Sequence, residues 1–203
     1  GVISTAEIAN AQELNPAITP DKFQRIIEEK YSADIMFLIQ QANLRSEQLK
    51  SEQMNALHNE IKAATEAPNK ELTNINVASY ASPDGGVKLN TTLAENREKN
   101  TVNYMKKSLK KGKIDADMTA EFTAQDWEGF KELVSKSNIQ DKELILNVLS
   151  MYSDPEQRER EIKNMSSVFK VLADDILPPL RYSRIAASVD VIGISGDGIS
   201  ILA

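Results

Sequence analysis

The first half of the chain alternates short apolar segments with longer segments of helical period, and this alternation restricts the possible fold more than any other feature. The β-like segments are residues 32–39 ("SADIMFLI"), 72–80 ("LTNINVASY") and about 114–122. The helical segments are residues 45–67 and 92–110. Strands that alternate with helices favour partly parallel pairing, with helices covering one face of the sheet. The predicted fold class is therefore α+β, a two-layer sandwich with a mixed sheet.

The second half predicts a helical insertion at about 123–177, followed by a last strand, "RIAASVDVIGI". Three helices are expected, of which the last begins at Asp154-Pro155 and ends before Pro178-Pro179, because proline suits the first turn and blocks the interior. Two capping-box patterns predict helix starts, Thr92 with Glu95 and Thr123 with Asp126. Trp127, Phe130 and either Leu133 or Val134 are expected to face a core.

The domain prediction separates residues 1–30 from residues 31–203. The first segment is an arm of uncertain structure, because "DKFQRIIEEK" fits either a short helix or a strand. The second is one domain that contains the insertion.

The composition is typical of a soluble globular protein, with 203 residues, 41% hydrophobic and 27% charged. The net charge of -6 argues against a nucleic-acid partner, and the densest basic cluster, Lys106 to Lys113, is short and lacks aromatic residues. No segment approaches the ~18 apolar residues of a membrane-spanning helix, so none is predicted.

The residue types present exclude several kinds of active site. The chain has no cysteine and a single histidine, His58, which excludes thiolate sites and multi-histidine metal sites. The adjacent carboxylates Glu28-Glu29 and Asp174-Asp175 are expected on the solvated surface, because neighbours on a helix do not face each other. With no nucleophile–base pair to assemble, we predict a protein that is not an enzyme and needs no cofactor or metal.

The segment "YASPDGG", residues 80–86, is the strongest candidate for a functional site. It lies between a predicted strand and a predicted helix, where small anionic ligands commonly bind. Chain reversal alone also explains it, because Ser82-Pro83-Asp84-Gly85 fits a type I β-turn at every position. Both interpretations stay open at this point.

Three features of the sequence resemble the OmpA-like domain of bacterial cell envelopes. A strand that ends in Phe37 precedes Leu44-Arg45-Ser46-Glu47, and a second strand leads into the glycine-containing turn. Asn90, Leu93 and Arg97 then match the start of the helix that follows the turn in that family. The insertion and "ILPPLR" look like an extended version of this domain from envelope proteins of the Bacteroidetes.

The resemblance implies a site for peptidoglycan. In OmpA-like domains an aspartate of the turn and an arginine of the helix hold the diaminopimelate of the stem peptide. Matching through Gly85 places Ser82 at the aspartate, Tyr80 at a histidine, and Asn90 and Arg97 at the helix positions. Because serine cannot balance an ammonium as a carboxylate does, the resemblance predicts weak binding. Stronger binding would return if Asp84 took over the role of the missing carboxylate, or if Ser82 were replaced by aspartate.

The function that the resemblance implies is a non-catalytic module, periplasmic and associated with the outer membrane, that contacts peptidoglycan weakly or tethers an envelope protein to the wall. The alternative is a structural or protein-interaction domain of a larger outer-membrane assembly with no small ligand. The position of Arg97 distinguishes the two: a groove open to Tyr80, Ser82, Asn90 and Arg97 favours wall binding, whereas an Arg97 engaged by an internal carboxylate such as Asp84 favours the alternative.

Overall fold

The computed structural model describes residues 24–194 as a four-stranded sheet with helices and a helical insertion. The strands are β1 (Gln24–Met36), β2 (Lys70–Tyr80), β3 (Met118–Thr123) and β4 (Tyr182–Ile194). The helices are α1 (Ser46–Leu49), α2 (Glu52–Glu66), α3 (Val87–Lys111), α4 (Trp127–Lys136), α5 (Lys142–Met151), α6 (Pro155–Asn164) and α7 (Ser166–Val171). A π-helical segment, Leu172–Ile176, and a 3-10 turn, Pro178–Leu180, lead into β4.

The strands lie in the order β1-β4-β2-β3. β4 pairs antiparallel with both β1 and β2, whereas β3 pairs parallel with β2. The predicted α+β class and mixed sheet are therefore confirmed. Within residues 24–194, no helix combines the length and the apolar character needed to cross a bilayer.

The main core lies between one face of the sheet and the helices α2 and α3. Helical spacing places Met54, Leu57 and Ile61 on the buried face of α2, as the sequence pattern predicts. These side chains share one apolar cluster with Ile75 and Val77 of β2, Met105 and Leu109 of α3, and Ile185 and Ala187 of β4. The cluster fixes α3 against the sheet, and α3 carries most of the candidate site.

The insertion has an apolar core of its own. Phe130 and Val134 of α4 are buried as predicted, and Trp127 is half-buried. They pack with residues from the rest of the insertion, among them Ile145, Leu149, Ile162, Leu172 and Leu180. The insertion is thus a small helical bundle that attaches to the sheet near the turn after β2.

Several predicted boundaries differ from the observed ones. The boundary between residues 30 and 31 falls inside β1, so residues 24–30, including the ambiguous "QRIIEEK", are strand. Residues 1–23 of the predicted arm lie outside the described residues. The third strand begins at Met118 rather than near residue 114.

Both predicted capping boxes are wrong. α3 begins five residues before Thr92, at Val87 after Gly86, and the Thr92 hydroxyl donates to the Lys88 carbonyl at 3.2 Å. At α4 the cap is Asp126 itself, whose carboxylate accepts from the Gly129 N–H at 2.9 Å. In both places one residue of the predicted capping box, Thr92 or Asp126, makes a different local hydrogen bond from the one that the box requires.

The last predicted helix is divided in two. It begins as predicted, with Asp154 accepting from the Gln157 N–H at 3.2 Å and Pro155 in the first turn. It ends at Asn164, because Met165 has ψ 70° and leaves the helical region before α7 starts. The insertion therefore contains four α-helices rather than three.

We expect Gly129→Ala to destabilise the protein, although alanine normally favours a helix interior over glycine. A Cβ at Gly129 would lie 2.3 Å from Asp126 Oδ2 and 2.9 Å from Leu180 Cδ2, which are too close for either atom to remain in place. The displaced cap and Leu180 should lower the free energy of unfolding by about 1–3 kcal/mol in chemical denaturation. Gly86→Ala is the control, because its Cβ would meet no atom within 4 Å. Equal stability of the two variants would contradict this packing.

Candidate functional site

The candidate site is the turn between β2 and α3, residues 81–86. Gly85 has φ +97°, a conformation that residues with a side chain rarely adopt, so glycine is required there. Its N–H donates to Glu159 Oε1 of α6 at 2.7 Å rather than closing the predicted type I turn onto Ser82. The segment is therefore shaped by contacts with the insertion as well as by its own residues.

Asn90 holds the turn from the first turn of α3. Its buried side-chain amide donates to the carbonyls of Ser82, Asp84 and Gly85 at 3.2, 3.0 and 3.3 Å. A side-chain amide has only two N–H bonds, so three close carbonyls share them. Asn90 thus acts on the backbone of the turn, and its donors are engaged within the protein.

Arg97 lies beneath the turn and is fully buried, with an exposed fraction of 0%. Its guanidinium donates from Nε to the Gln41 carbonyl at 2.9 Å, from Nη1 to the Tyr80 carbonyl at 2.9 Å and from Nη2 to the Leu38 carbonyl at 3.2 Å. The ring of Phe37 lies 5.0 Å from its central carbon. Arg97 therefore joins the end of β2 to the loop that follows β1.

The charge of Arg97 has no carboxylate within ion-pair distance among the described residues. Burial, assisted by the nearby Arg181 and opposed by Asp84, lowers the pKa of Arg97 to about 10. The group is still cationic at neutral pH. Carbonyl dipoles from three separate chain positions provide its close polar contacts.

Asp84 pairs with Arg181 rather than with Arg97. Arg181 Nη2 lies 3.5 Å from Asp84 Oδ2, and Arg181 Nε donates to Ser82 Oγ at 3.2 Å. The Ser82 hydroxyl in turn donates to Asp84 Oδ1. Arg97 is therefore not engaged by Asp84, the arrangement that would have favoured the structural alternative, because the Asp84 carboxylate pairs with Arg181.

The insertion supplies three residues to the site that the sequence did not indicate: Arg181, Glu159 and Gln125, whose Nε2 donates to the Gly85 carbonyl at 3.1 Å. Arg181 follows the 3-10 turn that ends the insertion, and Glu159 lies on α6, where Lys163 forms an ion pair with it at 2.5 Å. The "ILPPLR" phrase contains Arg181, but no local pattern links it to a turn about a hundred residues earlier. With Lys163 included, the charged groups of the site are three cations and two carboxylates.

Tyr80 contributes its carbonyl to the site, whereas its side chain lies elsewhere. The phenol ring stacks on Tyr182 with ring centres 4.6 Å apart. Arg184 lies over Tyr182 and forms a two-point ion pair with Asp34 at 2.8 and 3.0 Å. Burial raises the pKa of the Tyr80 hydroxyl, and Asp126 adds to the shift. The structure therefore brings Ser82, Asp84, Asn90 and Arg97 together but not the Tyr80 ring.

The site offers little room for a ligand. The cleft between the turn and the insertion, lined by Pro83, Asp84, Trp127 and Glu159 among others, holds about 20 Å³ of solvent space, roughly the room that one water needs. In residues 24–194 no three histidine, aspartate or glutamate side chains are grouped so that they could hold a metal ion. What the arrangement does chemically is to tie four chain segments together.

Comparison with known proteins gives no family for this arrangement. No protein-family model matches the sequence, and no curated protein matches it.

Proposed function

We propose that this chain is a non-catalytic module of the cell envelope, similar to OmpA-like domains. The residues that match the stem-peptide site of that family, the clamp, here bind one another and the backbone, so that Arg97 acts as an internal brace. The module serves as a structural or protein-interaction part of a larger periplasmic assembly associated with the outer membrane, and it binds no small ligand. The proposal takes the envelope setting from the resemblance of Phe37, Asn90, Leu93 and Arg97 to that family.

The observation that supports the proposal is the complete burial of Arg97. A guanidinium that holds a ligand must present free N–H groups to solvent, whereas the Arg97 fork donates to three backbone carbonyls and has no exposed surface. A ligand carboxylate would have to displace these part-buried carbonyls, and each one that water does not then reach would cost about 1–3 kcal/mol. Binding there is therefore strongly opposed.

The second half of the clamp is also occupied. The carboxylate that could take a ligand ammonium is Asp84, and it already pairs with Arg181 and accepts from Ser82. Glu159 accepts the hydrogen bond of the Gly85 N–H, which a ligand carboxylate could otherwise accept. The insertion thus supplies a cation and an anion of its own to the two halves of the site.

We expect no detectable binding when a diaminopimelate-containing muropeptide is titrated calorimetrically into the wild-type protein. Ser82→Asp should not restore it, because Ser82 is only 6% exposed and the new carboxylate would compete with Asp84 for Arg181. An OmpA-like domain known to bind the same muropeptide is the positive control. A saturable heat signal from the wild type or from Ser82→Asp would contradict the proposal and favour peptidoglycan binding as the function.

A further inference from the structure

β3 lies at one edge of the sheet, and half of its backbone points away from the sheet. The Ile75 N–H donates to the Asp117 carbonyl at 2.9 Å and the Ala81 N–H to the Thr123 carbonyl at 3.1 Å. In a parallel ladder with this register, the backbone groups of residues 117, 119, 121 and 123 face β2. Those of Met118, Ala120 and Phe122 therefore face outward, and no described strand pairs with them.

This edge lacks the usual protection against pairing with another chain. Edge strands are commonly guarded by lysine, proline, a bulge or several charges. The opposite edge, β1, carries Arg25, Glu28, Glu29, Lys30 and Asp34. β3, by contrast, reads "MTAEFT", with one charge and no proline, and residues 119–123 are all exposed.

We propose that β3 is the interface of a homodimer, in which β3 of a second copy pairs with it antiparallel about Ala120 and extends the sheet across a twofold axis. The outward groups of Met118, Ala120 and Phe122 then meet their equivalents in the partner, and each facing pair exchanges two hydrogen bonds. The inference concerns a surface separate from the turn and does not depend on how the turn is used.

The side chains of β3 select this register. Met118, Ala120 and Phe122 share the face of the sheet that carries the buried Ile75 and Val77. In the proposed register, Phe122, which is 40% exposed in the single chain, lies opposite Met118 of the other copy. On the opposite face, Glu121 lies opposite Thr119. Cross-strand pairs of this kind are favourable, whereas like charges directly opposite each other are not.

The two neighbouring registers of the antiparallel pair are disfavoured by repulsion between carboxylates. Pairing about Glu121 would place the two copies of Glu121 directly opposite each other. Pairing about Thr119 would place Glu121 opposite Asp117. A two-residue shift in either direction therefore faces acid with acid, and the register about Ala120 avoids both. The same axis keeps the lysine-rich C-terminal ends of the two α3 helices, Lys106 to Lys111, apart, because the paired α3 helices run in opposite directions.

Analytical ultracentrifugation of two matched variants tests the pairing. Thr119→Lys and Thr119→Glu both remove the Thr119 hydroxyl, which bonds to Asn76 at 2.8 Å, so they differ only in the charge placed opposite Glu121 of the other copy. The wild type should dimerise reversibly as its concentration rises. The dimer of Thr119→Lys should be about tenfold tighter than that of Thr119→Glu, because the change is made twice across the axis.

Residue-resolved amide exchange identifies the edge itself. The amides of Met118, Ala120 and Phe122 should gain protection as the protein is concentrated, whereas those of Thr119, Glu121 and Thr123 should be protected at every concentration. Ala120→Pro, which removes an N–H that faces away from β2, should abolish the gain. A wild type that stays monomeric at near-millimolar concentration, or a dimer indifferent to the charge at residue 119, would overturn the proposal. Outward amides already protected in dilute monomer would show that another segment of the same chain covers the edge, and would overturn it as well.

Discussion

Replacing Arg97 with methionine is expected to lower the free energy of unfolding by about 3–5 kcal/mol. The carbonyls of Leu38, Gln41 and Tyr80 lose the donors of three part-buried hydrogen bonds, and the protein loses a side chain that has no exposed surface. A buried acceptor left without a donor costs about 1–3 kcal/mol, and relief from burying the guanidinium charge offsets part of the sum. Denaturant titration of the purified variant measures the change.

The control is the same substitution at Arg160, an exposed residue of α6. Because a surface arginine away from special contacts contributes little, Arg160→Met should remain within about 0.5 kcal/mol of the wild type. Arg97→Lys should fall between the two, because an ammonium keeps the charge but cannot reach three carbonyls in a plane. An Arg97→Met variant as stable as Arg160→Met would show that Arg97 is not a brace.

Asn90→Ala is expected to cost about 2–4 kcal/mol, the second largest effect. It removes the donors for the carbonyls of Ser82 and Asp84 and one of two donors for that of Gly85, which also accepts from Gln125 Nε2 at 3.1 Å. The buried carbonyl of Ser82 and the part-buried carbonyl of Asp84 are then unpaired, and the turn loses its attachment to α3. Chemical denaturation and the amide exchange of Gly85 should both report the loss.

Asn100→Ala provides a matched control on the same helix. Asn100 Nδ2 donates to the Ala42 carbonyl at 2.8 Å, but Asn100 is exposed, so water can replace its side chain. We expect a loss of about 1 kcal/mol or less. If Asn90→Ala cost no more than Asn100→Ala, the turn would be held chiefly by its own conformation, as a type I turn would be.

The layers of the fold followed from local patterns in the sequence. The period of Met54, Leu57 and Ile61 predicts the buried face of α2, and alternation in "NINVASY" predicts β2, because both depend on residues close in sequence. The division of the last helix at Met165 could not be predicted, because the sequence there has neither proline nor glycine to mark it.

The sequence predicted which residues come together at the candidate site, but not which groups they contact. Ser82, Asp84, Asn90 and Arg97 do come together, because a strand, a short turn and a helix bring them there. The partners of Arg97 are backbone carbonyls, which no residue type marks in a sequence. The partners of Asp84 and Gly85, namely Arg181 and Glu159, arrive through the packing of the insertion and lie far away along the chain.

The environment of the Arg97 guanidinium in solution tests the central claim most directly. In ¹⁵N-labelled protein, the Nε–H resonance of Arg97, assigned by its absence in Arg97→Lys, can be followed during hydrogen exchange and during addition of the diaminopimelate muropeptide. A buried fork bound to carbonyls predicts slow exchange compared with the exposed Arg160 and no shift of the resonance at any muropeptide concentration. Exchange as fast as that of Arg160, or a saturable shift on addition of muropeptide, would show that Arg97 faces a ligand site and would contradict the account.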